Sequence, residues 1–232
     1  MLEKFIPEKF HRSIYLFKKS LIGFSQKSYA QEGEDMVLQR KFHSQKKGFY
    51  IDIGAHHPHR FSNTHLFYKK GWSGINIDAM PGSMDLFNKY RKRDTNLEVA
   101  ISDISQTLTY YAFVEPAING FDPVLSKQRV EAGEQLLFTK EIKTLTLQEI
   151  FEKHLPAQQA IDFMSVDVEG IDLQILKSNN WAKYRPKIVL AECLSKNVLE
   201  VMQEDVYKYM IEQGYSFIAK TINTCFFEDN KI

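Results

Sequence analysis

Three short stretches of this sequence bring together residue types that can do chemistry. In Asp167-Val168-Glu169-Gly170, two carboxylates flank one valine and a glycine follows. Side chains alternate between faces along an extended strand, so Asp167 and Glu169 point the same way if the strand runs through them. Carboxylates so placed can hold an acceptor, take its proton as a general base, or ligate a divalent cation together with Glu192. The plain alternative is a turn in which Asp172 caps the next helix. No recognisable ligand set accompanies these residues, and no metal is expected. His56, His57 and His59 form a second cluster. Interrupted by Pro58, their spacing fits no zinc pattern. They read as a loop beside a ligand, with His57 or His56 able to serve as a base because imidazole titrates near neutrality.

The third stretch is Asp52-Ile53-Gly54-Ala55, followed 26 residues after Asp52 by Asp78. A small residue lets the backbone approach a ligand closely. A helix starting soon afterwards, with Ser62 or Asn63 placed to cap it, would offer its N-terminus to a ligand's carboxylate. Asp52 is then expected to accept from the ligand's ammonium, directly or through water. Asp78, with Ala79 and the loop at His56 beside it, stands where an acidic side chain holds the ribose of a nucleoside cofactor. In Ala100-Ile101-Ser102-Asp103 the apolar side chains could sandwich an adenine, with Ser102 and Asp103 at its amino group. Each feature has a plainer reading: a tight turn at Gly54, a helix cap at Asp78, a polar turn at Asp103. A dinucleotide site would carry G-x-G-x-x-G. Here the sequence is GAHHPH, and His56, His57 and Pro58 would crowd a pyrophosphate. No G-x-x-x-x-G-K-[ST] loop is present either. The implied cofactor is a nucleoside without phosphates, which S-adenosylmethionine is and a nicotinamide dinucleotide is not.

These residues need strands that end beneath them. Buried apolar runs predict strands at Phe49–Ala55, Gly74–Asp78, Asn96–Ser102, Ile161–Val168 and Lys187–Cys193. Helices are predicted over Ser62–Lys70, closed by Gly71, from Pro81 through the charged run that follows, and over Leu147–His154, Leu173–Ser178 and Val198–Glu212. Gln106–Val114 reads as an added strand of a hairpin, and Glu115–Glu141 as a loop or lid. Tyr215–Thr221 and Asn223–Glu228 are expected to pair antiparallel. The alternation predicts an α/β fold of about seven strands, mainly parallel, with an antiparallel strand near the C-terminus and helices on both faces. In such sheets ligands bind beyond the carboxyl ends of the strands, where the strand order reverses. The residues named above fall there.

The 232 residues carry 30 Lys and Arg against 29 Asp and Glu, a net charge of +1, so no global positive field draws the chain onto nucleic acid. Cys193 and Cys225 sit in apolar surroundings and read as buried free thiols, in keeping with a cytoplasmic location. Residues 1–27 are set apart as an N-terminal extension, with 28–232 as the main domain. Within Met1–Phe24, Leu16, Phe17, Leu21, Ile22 and Phe24 interleave with Arg12, Lys18 and Lys19. Such a helix can pack on the domain or a second subunit, or lie on the inner membrane surface. It is too short in charge-free length to span a bilayer.

Three ordered segments resemble the FkbM family of methyltransferases. They are SYAQEGEDMVLQRKF (Ser28–Phe42), GFYIDIGAHHPHRFSNTHLFYKKGWSGINIDAMP (Gly48–Pro81) and FMSVDVEGIDLQIL (Phe163–Leu176). The resemblance implies a Rossmann-like class I methyltransferase fold, S-adenosylmethionine as methyl donor, and O-methylation of a hydroxyl, with a sugar or glycan as acceptor. It implies that Asp52, Gly54 and Ala55 hold the methionine end, Asp78 the ribose, and that Asp167 and Glu169 face the transfer site. It also implies that Gln31, Glu34 and Asp35 close over the cofactor. The chain departs from the family at His57, where related sequences often carry Asp, and in Met1–Lys27, which the likeness does not cover. The rival readings are a methyltransferase acting on a lipid, peptide or RNA, and a non-catalytic binding domain that kept the fold.

Overall fold

The computed structural model describes residues 12–17, 20, 25–168 and 170–231. Residues 12–17 are helical, with Tyr15, Leu16 and Phe17 exposed. The rest of the expected N-terminal amphipathic segment, and Glu169, lie outside the described residues.

The middle of the sheet is set by β1 (Phe49–Ile53), whose five residues are all buried. Period-two alternation splits them between two apolar layers. Phe49, Ile51 and Ile53 join one layer with Leu147, Ile150 and Phe151 of α5 (Leu147–His154), Ile175 and Leu176 of α6 (Asp172–Lys177), and Met210 of α8 (Asp205–Glu212). Tyr50 points the other way and packs with Leu38 of α1 (Glu34–Lys41), Phe67 of α2 (His65–Lys69), Trp72 and Phe163. Helices therefore cover both faces. Full burial of each large apolar side chain contributes about 1.5–3 kcal/mol, so these layers fix how the strand ends are presented.

Parallel neighbours flank β1 on both sides: β2 (Ser73–Asp78), followed outward by β3 (Thr95–Glu98), and β7 (Phe163–Val166), followed by β8 (Ile188–Glu192). β10 (Thr224–Asp229) runs antiparallel to β8 and pairs with β9 (Tyr215–Lys220) at the far edge. The seven strands lie in the order β3-β2-β1-β7-β8-β10-β9, mainly parallel as expected. The order reverses between β1 and β7. A second sheet holds β4 (Ala100–Ile101), β5 (Thr107–Phe113) and β6 (Leu136–Leu145).

Three elements differ from expectation. The predicted strand over Asn96–Ser102 changes partner at Val99: residues before it pair with β2, while Ala100 and Ile101 pair with β6. Each half is apolar enough for a strand, so local pattern does not reveal the change. Glu115–Glu141 is not one loop. It contains a short 3-10 turn at Pro116–Ile118, α4 (Pro123–Glu131), and the first half of β6. Asp122 caps α4 by accepting from the Val124 and Leu125 amides, and Pro123 opens it. The first six residues of β6 are exposed, which erases the alternation that would have marked a strand. Val198–Glu212 is two helices, α7 (Val198–Val201) and α8. The break falls where the Glu204 carboxylate turns back to bind the amide and hydroxyl of Ser195.

Candidate active site

The carboxyl ends of β1, β2 and β7 are stitched together by main-chain bonds. Gly54 and Ala55 donate to the Ile77 carbonyl at 2.9 and 3.0 Å, and Asp167 N donates to the Ile53 carbonyl at 3.0 Å. Gly54 has a φ of +77°, and a Cβ built there would lie 1.7 Å from the Asp167 carbonyl oxygen. Only glycine satisfies both conditions.

The chain then turns at His56, whose φ of +52° is unusual for a residue with a side chain. Its amide donates to Asp78 Oδ2 at 2.9 Å, while the Met80 amide donates to Asp78 Oδ1 at 2.8 Å. Burial pushes the Asp78 carboxyl above its usual pKa, and these two backbone bonds oppose that shift. A carboxylate offers about four lone-pair sites, so roughly two remain for a ligand.

Above these strand ends lies a cleft with free space of about 900 Å³, open to solvent. Gly54, Ile77 and Asp78 form its floor. Val99, Ile101, Tyr110 and Phe121 make an apolar slot on one side, with the two aromatic rings 5.1 Å apart. Pro116, Asn119 and Gly120 also line it. This segment is held by a bridge between Tyr111 and Gly120 and by Asn119 Oδ1, which accepts from the Phe113 amide at 2.7 Å. Gln31, His56, Phe61, Asp167 and Val168 line the other end.

The cleft thus gathers Gly54, His56, Asp78, Ala79 and Asp167, together with Gln31. The other proposed residues that the structure describes lie elsewhere. Ala55 packs against Met84 and Phe87 of α3 (Met84–Tyr90). Ser62 is buried and accepts from the His65 amide at 3.1 Å, a helix-start contact. Ser102 donates to Asp103, which is exposed, and neither lines the cleft. His57 uses Nδ1 to accept from the His59 and Arg60 amides at 3.1 and 3.0 Å, so that nitrogen holds the loop together. Glu34 and Asp35 are buried and brace neighbouring chain: Asp35 accepts from Ser28 and Tyr29, and Glu34 from Thr221.

Asp52 also stands outside the cleft lining, inside a buried network that sequence reading missed. The Thr64 hydroxyl donates to Asp52 at 2.7 Å and accepts from Arg91 at 2.9 Å. Arg91, fully buried, also donates to Asp94, Tyr50 and the Pro58 carbonyl. Burial raises the Asp52 carboxyl to about 6. Through Pro58 in its middle and Thr64 at its end, the network holds the loop that carries His56 and Phe61. In the sequence, Arg91 sits in the run RKRD and reads as a solvated helix end. Nothing local distinguishes it from Lys92 beside it.

Among the described residues, no group of three or more His, Cys, Asp or Glu could hold a metal ion. No described helix is long and apolar enough to cross a membrane. Cys193 and Cys225 are both buried and free.

Residues 52–217 match the methyltransferase FkbM domain, which is most of the chain. The protein belongs to the FkbM methyltransferase domain family. No curated protein sequence matches it. The chain is similar in structure to the methyltransferase FkbM of Methylobacillus flagellatus KT, at 13% identity and a TM-score of 0.49, over 79% of this chain and 44% of that one. It thus spans less than half the length of that protein. It is also similar to a protein of Pyrococcus horikoshii assigned as an RNA methyltransferase, at 10% identity and a TM-score of 0.42, over 94% of this chain and 98% of that one. At these scores neither likeness adds to the family assignment.

Proposed function

We propose that this protein is a Rossmann-like, S-adenosylmethionine-dependent O-methyltransferase that acts on a hydroxyl of a sugar or glycan. The observation that carries the reading is Asp78: a carboxylate with acceptor sites to spare, between an apolar slot and the end of β7, with no phosphate cradle beside it among the described residues. The donor set fits the cofactor. Asp78 accepts from the ribose hydroxyls, with Ala79 and His56 alongside, and Val99, Ile101, Tyr110 and Phe121 receive a flat base. When bound, S-adenosylmethionine supplies an electrophilic methyl group on a sulfonium. The protein's own work is then alignment and exclusion of water.

Asp167, at the end of β7, is the first candidate to take the acceptor's proton. Glu169 is the second. His57 ranks last, because its Nδ1 is committed to the loop. Asp52 acts as a positioning residue through Thr64 and Arg91. The near-neutral charge favours a glycan over nucleic acid as partner, with 28–232 as the methyltransferase domain in the cytoplasm.

Calorimetry with S-adenosylhomocysteine tests the cofactor half. Micromolar binding that Asp78→Ala weakens at least about tenfold is expected, whereas no binding would favour a non-catalytic domain. Incubation with labelled cofactor and glycan, lipid and protein fractions tests the acceptor. Label confined to lipid or protein would overturn the sugar assignment. Asp167→Asn should lower kcat far more than it changes cofactor affinity.

A further inference from the structure

The second sheet leaves a hydrogen-bonding edge open. β6 pairs with β5 along one side from Leu136 to Lys143, but on its other side β4 reaches only Thr144 and Leu145. Among the described residues, no backbone bond occupies the remaining edge from Leu136 to Lys143. The same stretch exposes three consecutive apolar side chains, Leu136, Leu137 and Phe138, at 38%, 56% and 42%. Natural sheets suppress this combination, because an open edge with apolar side chains recruits another strand.

We propose that the edge of β6 pairs antiparallel with β6 of a second copy, forming a two-fold symmetric dimer. Backbone geometry restricts the register. Successive residues of a strand turn their N–H and C=O groups to opposite edges, so two identical edges can pair only if the two-fold axis passes through a residue. The open segment is centred on Thr139 and Lys140. An axis at Lys140 would set that ammonium against its own copy, which cross-strand pairing disfavours. An axis at Thr139 sets threonine against threonine and Phe138 against the partner's Lys140, whose aliphatic stem can cover the ring. It also ends the pairing where β4 begins to occupy the edge. A second copy is therefore the occupant that this edge fits. The dimer does not rest on the methyl-donor reading. It would stiffen β5, whose Tyr110 lines the cleft.

Sedimentation velocity on the full chain, from about 1 to 200 µM, tests this. A reversible rise to twice the monomer mass is expected. Thr139 is exposed, so Thr139→Lys puts like charges on the axis without touching the core. It should weaken the dimer at least about tenfold, with circular dichroism unchanged and Tm equal to the parent's at concentrations where both are monomeric. Thr139→Cys should form an intermolecular disulfide under copper(II)–phenanthroline, the two thiols losing two protons and giving two electrons to the oxidant. Lys127→Cys on α4 should not. A monomer at all concentrations overturns the proposal. So does a dimer indifferent to Thr139→Lys, or one lost only on deleting residues 1–24.

Discussion

Gly54 lies against the main-chain carbonyl of Asp167 so closely that a Cβ would come within 1.7 Å of its oxygen. This contact joins the ends of β1 and β7, the pair between which the strand order reverses. It sets the depth of the cleft floor, since neither strand end can move without the other.

Gly54→Ala should therefore lower Tm and weaken S-adenosylhomocysteine binding at least about tenfold. Gly71→Ala is the control. Its φ is also positive, +93°, but nothing lies within 4 Å of an added Cβ. It should cost only the conformational strain, about 1–2 kcal/mol, and leave binding intact. Parent-like affinity in Gly54→Ala would contradict the close approach.

The buried hydroxyl of Thr64 stands between a carboxylate and a guanidinium. Thr64→Val keeps the shape and removes both bonds and the 3.2 Å contact with Ser62 Oγ, which strands Asp52 and one Arg91 donor. A loss of about 2–3 kcal/mol in denaturant unfolding is expected, with an unchanged m-value. Thr64→Ser should recover most of it. If valine and serine behave alike, the network does not hold the loop.

The raised carboxyl of Asp52 makes stability depend on pH in a defined direction. With a folded pKa of about 6, against about 3.9 when unfolded, the folded chain keeps a proton that the unfolded chain loses. That contribution is complete below about pH 4 and disappears as pH rises through 6. Asp52→Asn removes it, so the variant's stability relative to the parent should climb between pH 4 and 7, by at most about 3 kcal/mol. His65, lowered to about 4 chiefly by burial, gives the opposite slope, gaining stability as pH rises from 4 towards 6.5. It is common to both chains and cancels from the difference. A flat difference would mean that Asp52 is not desolvated.

Arg60 and Glu115 pair at 3.3 Å, and each is next in sequence to a residue that lines the cleft, Phe61 and Pro116. Both are exposed, so the pair contributes under about 1 kcal/mol. Glu115→Ala should speed S-adenosylhomocysteine release about two- to threefold at low salt, and high salt should abolish the difference. The swap Arg60→Glu with Glu115→Arg should restore the slower release in stopped-flow measurements. Failure of the swap would show that the pair does not latch the cleft.

Much of the frame was legible in the residue order. Leu147–His154 is the helix its amphipathic spacing predicts, and the β9–β10 hairpin and the strands around Asp52, Asp78 and Asp167 follow from their apolar runs. Period and punctuation are local properties, and these elements are held by local pattern plus burial. The insertion between β5 and β6 was not legible. β6 takes its conformation from hydrogen bonds to a strand about thirty residues away and buries little, so it leaves no periodic trace.

By itself the sequence determined which carboxylates and glycines stand at strand ends, because alternation and turn residues place them one strand at a time. The tertiary structure alone decided which of them meet. Asp78 faces the cleft, whereas Asp52 turns inward to Thr64 and Arg91. That outcome depends on side chains 12 and 39 residues away along the chain, brought together only when helices pack on both faces of the sheet. A buried carboxylate takes the nearest donor that desolvation leaves it, and the packed core chooses that donor.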